Sequence, residues 1–555
     1  MNEENQLVFA PLGGLGEIGM NCALYGFGPA KRRQWLMVDL GVAFAGDDLP
    51  GVDLIVPDIA FIEKAKKDLV GIIITHAHED HIGALVDLWP RLGVKVYLTR
   101  FAAGLLEARR LSEPGAPKIP IQIVPQDGRV AIGPFDVEFV PVAHSIPESC
   151  ALAIRTPAGL IVHTGDWKID ATPLVGQPTD EARLKALGDE GVLALICDST
   201  NVLREGESPS EADVAANLSA LVGAAKGRVV ITTFASNVAR LRAGAEAALA
   251  NGRQVMVIGR AMERVVAVAR ELGYLDGLPP FLGQDHFDRI PREKVLALAT
   301  GSQGEPRAAL ARIAEDEHPV ATLAPGDIVV FSSRAIPGNE KAVGKIVNGL
   351  VAQGIEVVTD RTQLVHVSGH PRRAELAKMY AWLRPKIAIP AHGEPLHLTE
   401  HAAFARAQGV GQVVRAFNGD IVLLRDGEAG IIGQVDHGRQ YKDGDVLLAS
   451  GDDCIGQRRR LSFAGVVSIA IALSDKGDLS GDPDVIIAGL PSRTRRGAGM
   501  DEVVDAAIFE TFENLPRGKR RDADAVATAI ERAVRNSVNA AWGKKPAVHV
   551  LVVEV

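Results

Sequence analysis

Six consecutive residues constrain this chain more than any others: His76-Ala77-His78-Glu79-Asp80-His81, placed directly after the apolar run Val70-Gly71-Ile72-Ile73-Ile74. The run reads as a short buried strand, so three imidazoles and two carboxylates leave its end together. Neutral imidazole is the commonest protein ligand for zinc, and carboxylate oxygen complements it. The chain holds only 14 histidines in 555 residues, so an ordered cluster of three is a poor candidate for chance. The spacing suits His76 and His78 on one metal ion, with Asp80 and His81 on a neighbouring one.

Five further polar residues repeat the same local grammar. Asp39 follows Trp35-Leu36-Met37-Val38, and His144 follows Phe139-Val140-Pro141-Val142-Ala143. Asp166 comes after Ile161-Val162-His163-Thr164-Gly165, Asp198 after Leu195-Ile196-Cys197, and His392 after Ile387-Ala388-Ile389-Pro390-Ala391. Side-by-side strands would present all five groups along one sheet edge, which is where open sheets bind ligands. A single such residue is most often a turn former. Five of them, added to the histidine cluster, argue for one cooperating site.

The chain is too long for one core. Residues 5–200 alternate β-rich apolar runs with Gly/Pro turns, and a helix-like stretch covers 82–92. From about 210 the rhythm becomes strand–helix alternation, with strands predicted at 228–233, 254–258, 295–300, 327–332 and 356–359 and helices at 237–250, 261–272 and 340–353. That rhythm predicts a parallel α/β layer. Ligand-type residues then return at His366, His370, His392 and His397. The economical division is a first domain over 1–205 and 366–445, interrupted by an inserted domain over 206–365. A polar, Arg-rich linker at 446–462 leads to a last α/β segment over 463–555. Cys22, Cys150, Cys197 and Cys454 form no CxxC pair and suit buried thiols in a reducing cytoplasm. The polar N-terminus shows no signal peptide, and no apolar run approaches a membrane span. The reading is a cytoplasmic protein without membrane contact.

Asp39, His76-x-His78-x-Asp80-His81, His144 and Asp166 resemble the successive motifs of the metallo-β-lactamase fold, an αββα sandwich. Asp198, His370 and His392, flanking an inserted domain, resemble the further motifs of the β-CASP nucleases. Within that group the chain is most similar to the bacterial ribonuclease J family. The likeness is carried by residues 13–21 (GGLGEIGMN), 197–201 (CDSTN), 300–306 (TGSQGEP) and 366–370 (HVSGH). It covers essentially the whole chain, although the last hundred residues match by position more than by motif. Pro371 departs from the expected Ala, a change that would be mild if proline opened a helix there.

The resemblance implies two zinc ions per subunit, with manganese or magnesium as alternatives. His76, His78 and His144 would hold one; Asp80, His81 and His392 the other; Asp166 would bridge them. Asp80 would also count among the catalytic groups. Asp39 and Asp198 would orient ligands or the nucleophile, and His370 would act at the scissile phosphate. The 5′-phosphate of single-stranded RNA would be bound by Ser236, Asn237, Ser333, Asn339, His366 and Ser368. The implied activity is 5′-to-3′ exonucleolytic hydrolysis of RNA preferring a 5′-monophosphate, with endonuclease action as a second mode. The last segment would support a homodimer or homotetramer. A net charge of −9 argues against a simple nucleic-acid coat but not against a metal-dependent nuclease. DNA processing and small-ester hydrolysis are the competing activities, and a non-catalytic RNA-binding scaffold the competing class. The Gly13-x-x-Gly16 spacing does not fit a dinucleotide fingerprint; Glu17 and Asn21 instead belong to a tight turn beside the metals.

Overall fold

The computed structural model describes residues 5–336 and 338–555. The N-terminal residues 1–4 and Pro337, which falls in the 5′-phosphate segment 332–339, lie outside the described residues. Two compact units divide the chain: Met1–Phe44 with Leu54–Gln440, and Ala45–Asp53 with Tyr441–Val555.

The first unit is built on two sheets. One runs, edge to edge, Gly430–Gln434, Asp420–Leu423, Gln6–Gly13, Cys22–Gly28, Gln34–Val38, Leu69–Ile73, Val96–Leu98 and Ile121–Ile123. The other runs Gln412–Val413, Ile387–Ala391, Val192–Asp198, Gly159–His163, Cys150–Thr156, Phe135–Pro141 and Arg129–Ile132. Alternation along each strand explains the layering. Phe9, Tyr25, Leu36, Val38 and Ile73 of the first sheet share one core with Phe139, Leu152, Ile161, Ile196 and Ile389 of the second. On the second sheet's other face, Val140, Ala153, Val162, Leu195 and Cys197 pack with Leu184, Leu187, Leu376, Met379 and Leu383. Those last five residues come from the helices Glu181–Glu190 and Arg373–Leu383. This is the αββα sandwich.

The chain leaves the second sheet after Asp198 and re-enters it beside the same strand, where Val192–Asp198 pairs in parallel with Ile387–Ala391 and Asp198 sits opposite Ala391. The excursion contains a six-stranded parallel sheet in the order Leu282–Gly283, Gln254–Ile258, Val295–Ala299, Val229–Thr232, Ile328–Phe331 and Glu356–Val358. Four buried charges tie it to the sandwich. Lys168 Nζ lies 2.9 Å from Asp170 and 3.5 Å from Glu211, whose other oxygen receives Arg240 Nη2 at 2.8 Å. Arg240 also donates to the Val365 carbonyl at 2.8 Å. Asp170 and Lys168 belong to the sandwich, Arg240 to the helix Val238–Ala250 of the excursion.

Three details differ from the sequence reading. Residues 446–462 are not a linker: they hold the strand Val446–Ala449 and most of the helix Asp453–Ala464, capped by Asp452. That helix buries only Ile455 and Ala464, so its composition resembles solvated linker although its backbone is ordered. The helix-like stretch 82–92 is two helices, Glu79–Ile82 and Leu85–Leu92, because the Ala84 N–H bonds to the Leu40 carbonyl instead of continuing the first. Pro371 does not open its helix; it precedes the cap residue Arg372. In the second unit, Val466–Leu473 lies between Asp484–Ala488 and Ala547–Glu554. Its Val467, Ile469 and Ile471 pack on Val504, Ile508, Ile530 and Val534 of the helices Met500–Asn514 and Ala523–Trp542. Among the described residues no helix is long and apolar enough to cross a membrane.

Replacing Arg240 by Ala should strand the Glu211 carboxylate in the interior and cost about 3–5 kcal/mol, measured by urea unfolding. Burial raises the Glu211 pKa, but Arg240 and Lys168 outweigh it and hold it at about 2. The Glu211 contribution is therefore complete above the ordinary carboxylate pKa and disappears as pH falls toward 2. The wild-type advantage over Arg240→Ala should shrink over that acidic window.

Candidate metal centre

The predicted strand ends converge. His76, His78, His144 and Asp166 form one group of potential ligand atoms, and Asp80, His81, Asp166 and His392 form a second, each within 4.8 Å. In the first, His78 Nδ1 stands 3.1 Å from both His76 Nε2 and His144 Nε2. Asp166 Oδ2 is 3.8 Å from His76 and 3.7 Å from His144. In the second, the same oxygen is 3.3 Å from His81 Nε2, while Asp166 Oδ1 is 3.6 Å from His392 Nε2. Asp80 Oδ2 lies 3.3 Å from His392 and 3.6 Å from His81. Tetrahedral ligation at about 2.0–2.1 Å separates donor atoms by roughly 3.3 Å, so these spacings suit a cation at each group. Asp166 Oδ1 is buried and has no hydrogen-bond partner, an expensive state for a carboxylate unless a cation faces it. The donor set fits two metal ions.

Four of the five candidate ligand imidazoles are aimed by a bond to the other nitrogen. His81 Nδ1 donates to Asp39 Oδ2 at 2.7 Å, and His144 Nδ1 to the Gly369 carbonyl at 2.7 Å. His392 Nδ1 meets Thr200 Oγ1 at 2.7 Å, and that hydroxyl donates onward to Asp198 Oδ1 at 2.7 Å. Thr75 plays the same part for His76, whose Nδ1 is 3.0 Å from its Oγ1, while the hydroxyl donates to Asp39 Oδ2 at 2.9 Å. His370 Nδ1 donates to Asp198 Oδ2 at 2.7 Å. Asp39 and Asp198 thus act through other side chains, and Thr75, Thr200 and Gly369 are positioning groups that strand-end grammar did not single out. Asp39 (φ 63°) and His392 (φ 52°) both take left-handed backbone conformations where their strands stop. Such strain is tolerated where the surroundings over-determine it. The Gly-rich turn is also fixed: Asn418 and Arg439 hold Glu17, and Asn21 donates to the Asp80 carbonyl at 3.1 Å.

The electrostatics divide the histidines. Burial, aided by neighbouring imidazoles, pushes His76 and His144 well below the ordinary histidine pKa. Burial likewise takes His78 down to about 4, against the pull of Asp80 and Asp166. These three stand ready as neutral ligands. For His81 and His392 burial again lowers the pKa, but carboxylates, Asp166 foremost, overcome it. His81 ends well above its usual value and His392 at about 9.

Family models match in chain order. A metallo-β-lactamase superfamily model covers residues 20–173, a ribonuclease J β-CASP domain model 226–350, a Zn-dependent metallo-hydrolase RNA specificity domain model 354–416, and a ribonuclease J C-terminal domain model 453–555. A ribonuclease J from Sinorhizobium meliloti is 53% identical over 555 residues, spanning 100% of this chain and 98% of that protein. The chain belongs to the ribonuclease J family. The ribonuclease J of Mycolicibacterium smegmatis is 38% identical over 98% of this chain and 96% of its own, and that of Corynebacterium glutamicum 39% over 98% and 75%. A solved protein of unknown function from Enterococcus faecalis shares the fold at TM-score 0.52 and 16% identity, over 76% of this chain and 100% of that one.

The remaining residues that the ribonuclease J likeness singled out lie at the C-terminal edge of the inserted sheet or on the segment beside it. Ser236 and Ser333 follow neighbouring parallel strands, in which Thr232 sits opposite Phe331. Ser332 Oγ donates to the Val365 carbonyl at 2.6 Å, which brings the neighbourhoods of Ser333 and His366 together. Ser333 Oγ and His366 Nδ1 are buried without partners. Ser368 Oγ accepts from Asn201 Nδ2 at 2.9 Å, and the same amide donates to the His370 carbonyl. Asn237 is different: it is buried, and its side chain accepts from Arg240 N as the cap of Val238–Ala250. Asn339 stands at the start of Glu340–Ala352 without making a side-chain cap.

Two measurements follow from this packing. A Cβ on Gly41 would lie 1.7 Å from the Asp80 carbonyl oxygen. Gly41→Ala should therefore cost about 1–3 kcal/mol in urea unfolding and reduce metal content by displacing Asp80. Metal titration of chelator-treated protein should release protons. Below about pH 9 His392 holds a proton that a cation must displace. Affinity of the second group should rise from pH 6.5 to 8.5, while the first group, neutral above about pH 4 at His78, should respond little. Calorimetry in buffers of different ionisation enthalpy reads the difference.

Proposed function

We propose that the chain is a metal-dependent ribonuclease hydrolysing RNA phosphodiesters, working 5′-to-3′ from 5′-monophosphorylated ends and cutting internally as a second mode. One observation carries the reading: two buried His/Asp donor groups share Asp166, and beside them lie His370 and the partnerless polar atoms of Ser333 and His366. Zinc is the preferred metal because the donor set is nitrogen-rich with carboxylate oxygen. His76, His78, His144 and Asp166 would hold one ion, and Asp80, His81, Asp166 and His392 the other. Bound there, two cations lower the pKa of a water and neutralise charge on a phosphoryl group.

The protein's own groups do the rest. Burial lowers the His370 pKa, yet Asp198 and Asp166 outweigh it and raise it above its ordinary value, which favours the protonated ring. With Nδ1 bonded to Asp198, His370 offers Nε2 to the leaving oxygen or to the charge developing on the phosphate. Ser236, Ser333, Asn339, His366 and Ser368 would cradle the 5′-phosphate where the inserted sheet ends. Asn237 serves that cradle only indirectly, through its cap. A phosphate held at a fixed distance from the metals yields mononucleotides. The division into 1–205 with 366–445, an insertion at 206–365, and a C-terminal domain fits this reading with one amendment, a last domain that begins near 441. The C-terminal domain would support a homodimer or homotetramer, and the enzyme would act in the cytoplasm.

RNA labelled at its 5′ end, with a monophosphate or a hydroxyl, tests this with added zinc, manganese or magnesium. Labelled mononucleotide should appear at once, faster from the monophosphate, and Asp80→Ala should abolish it. His366→Ala with Ser368→Ala should reduce the monophosphate advantage by about tenfold. Long labelled fragments indifferent to the 5′ group would leave only an endonuclease, and cleavage confined to DNA would overturn the RNA reading.

A further inference from the structure

Directly beyond Asp198, three buried polar side chains meet at one imidazole that neither the metal groups nor the phosphate cradle uses. His401 lies on the helix Pro395–Ala407, which starts three residues after His392. Its Nδ1 is 2.8 Å from Ser199 Oγ, and its Nε2 is 2.9 Å from Tyr380 Oη. Ser199 follows Asp198 at the end of the strand Val192–Asp198. Tyr380 belongs to the helix Arg373–Leu383, which starts three residues after His370. One ring therefore ties together the segments that carry Asp198, His370 and His392. Those same three residues also meet directly, with ligand-type atoms within 4.8 Å of one another. His370 Nδ1 donates to Asp198, and His392 reaches Asp198 through the Thr200 hydroxyl.

The hydrogens of this cluster can be placed. Ser199, Tyr380 and His401 are all buried. Burial pushes the His401 pKa down to about 4 against the pull of Asp198, so the ring is neutral and carries one proton. Among the described residues Tyr380 Oη has no other hydrogen-bond partner, so its O–H donates to His401 Nε2. His401 Nδ1–H then donates to Ser199 Oγ, whose own hydrogen reaches the Cys197 carbonyl at 3.5 Å. Every hydrogen is used. Tyr380 shares an apolar layer with Leu376, Met379 and Leu383, where an apolar ring in place of His401 would spare the desolvation of three polar groups. A fully satisfied network instead fixes one arrangement of its members. The turns after Asp198 and His392 also pack closely: a Cβ on Gly393 would lie 3.3 Å from Ser199 Cβ.

We propose that His401 is a positioning residue that acts through Ser199 and Tyr380 to hold Asp198, His370 and His392 in the mutual geometry that hydrolysis requires. The proposal rests on the reading above, in which His370 acts at the scissile phosphate, and adds the group that sets its place. Ser199 anchors the turn in which Thr200 bonds both Asp198 and His392. Tyr380 anchors the helix into which His370 leads. Loss of the ring nitrogens releases both anchors at once. His401 bonds nothing in the inserted domain among the described residues, so Ser236, Ser333 and Asn339 keep their places. The effect therefore falls on turnover and spares RNA binding.

The test uses full-length protein and short 5′-monophosphorylated RNA, with steady-state cleavage in added manganese and binding by fluorescence anisotropy in chelator. His401→Phe, which keeps an aromatic ring and removes both nitrogens, should lower kcat about thirtyfold and leave KM and RNA binding within about twofold. In metal-free protein carrying isotope-labelled histidine, the His370 Nδ1–H resonance, assigned by its loss in His370→Ala, should shift or broaden in His401→Phe. His401→Asn, whose amide takes the place of Nδ1 at Ser199, should recover most of the lost kcat. Tyr380→Phe removes one hydroxyl, should lower kcat about threefold, and carries the test with His401→Asn if His401→Phe does not fold. Folded variants with wild-type kcat and an unmoved His370 resonance would overturn the proposal. So would equal losses of kcat and RNA binding, the mark of a general folding defect. Undiminished cleavage by His370→Ala would instead refute the site reading on which the proposal rests.

Discussion

The Asp166 carboxylate is the group on which the site depends. It is buried between five histidines, with one oxygen facing His76, His144, His81 and His370 and the other facing His392 without a hydrogen-bond donor. An anion in that position demands positive charge. In the metal-free protein, protons on His81 and His392 supply part of it: burial raises the Asp166 pKa, but these histidines outweigh it and leave it well below the ordinary carboxylate range. Cations held by the surrounding donor groups would satisfy it more completely. The left-handed backbone at Asp39 and His392 is held by the same surroundings.

From that point the architecture follows outward in shells. Four of the clustered imidazoles are aimed by Asp39, Thr75, Thr200 and the Gly369 carbonyl, the first three sitting just beyond the ends of strands with packed interiors. Rigidity comes from apolar layers, direction from the hydrogen bonds at strand ends. The inserted domain adds a second sheet edge, and the Lys168–Asp170–Glu211–Arg240 network secures it with charges that cannot be separated cheaply. Arg240 reaches the Val365 carbonyl as well, so the tether that holds the domain also holds the neighbour of His366. Fold stability and substrate geometry therefore share residues here. Damage to the tether should disturb both.

Much of this was legible in the chain. Most strands lay within a residue or two of their apolar runs, because a run buried on both faces of a sheet has a sharp polar boundary. The His and Asp residues that cluster as candidate ligands were legible for the same reason, since they mark such boundaries. The Asp453–Ala464 helix was not, because a helix that buries two residues has almost no apolar periodicity to detect. Nor was the cap role of Asn237 separable from ligand binding, since a helix start and a phosphate cradle ask for the same short polar side chains.

Local sequence determined the inventory: which residues end strands, which segments form a parallel layer, and which nitrogen and oxygen atoms are available to a metal. Tertiary structure alone decided their partners. Asp198 and His392 become neighbours because the strand Ile387–Ala391 returns to lie against Val192–Asp198 after the whole inserted domain. Thr75, Thr200 and Gly369 acquire roles only when folding brings imidazole nitrogens within hydrogen-bond reach. Periodicity reports which face of an element is buried, a property of neighbours in sequence. Coordination and charge balance are sums over neighbours in space.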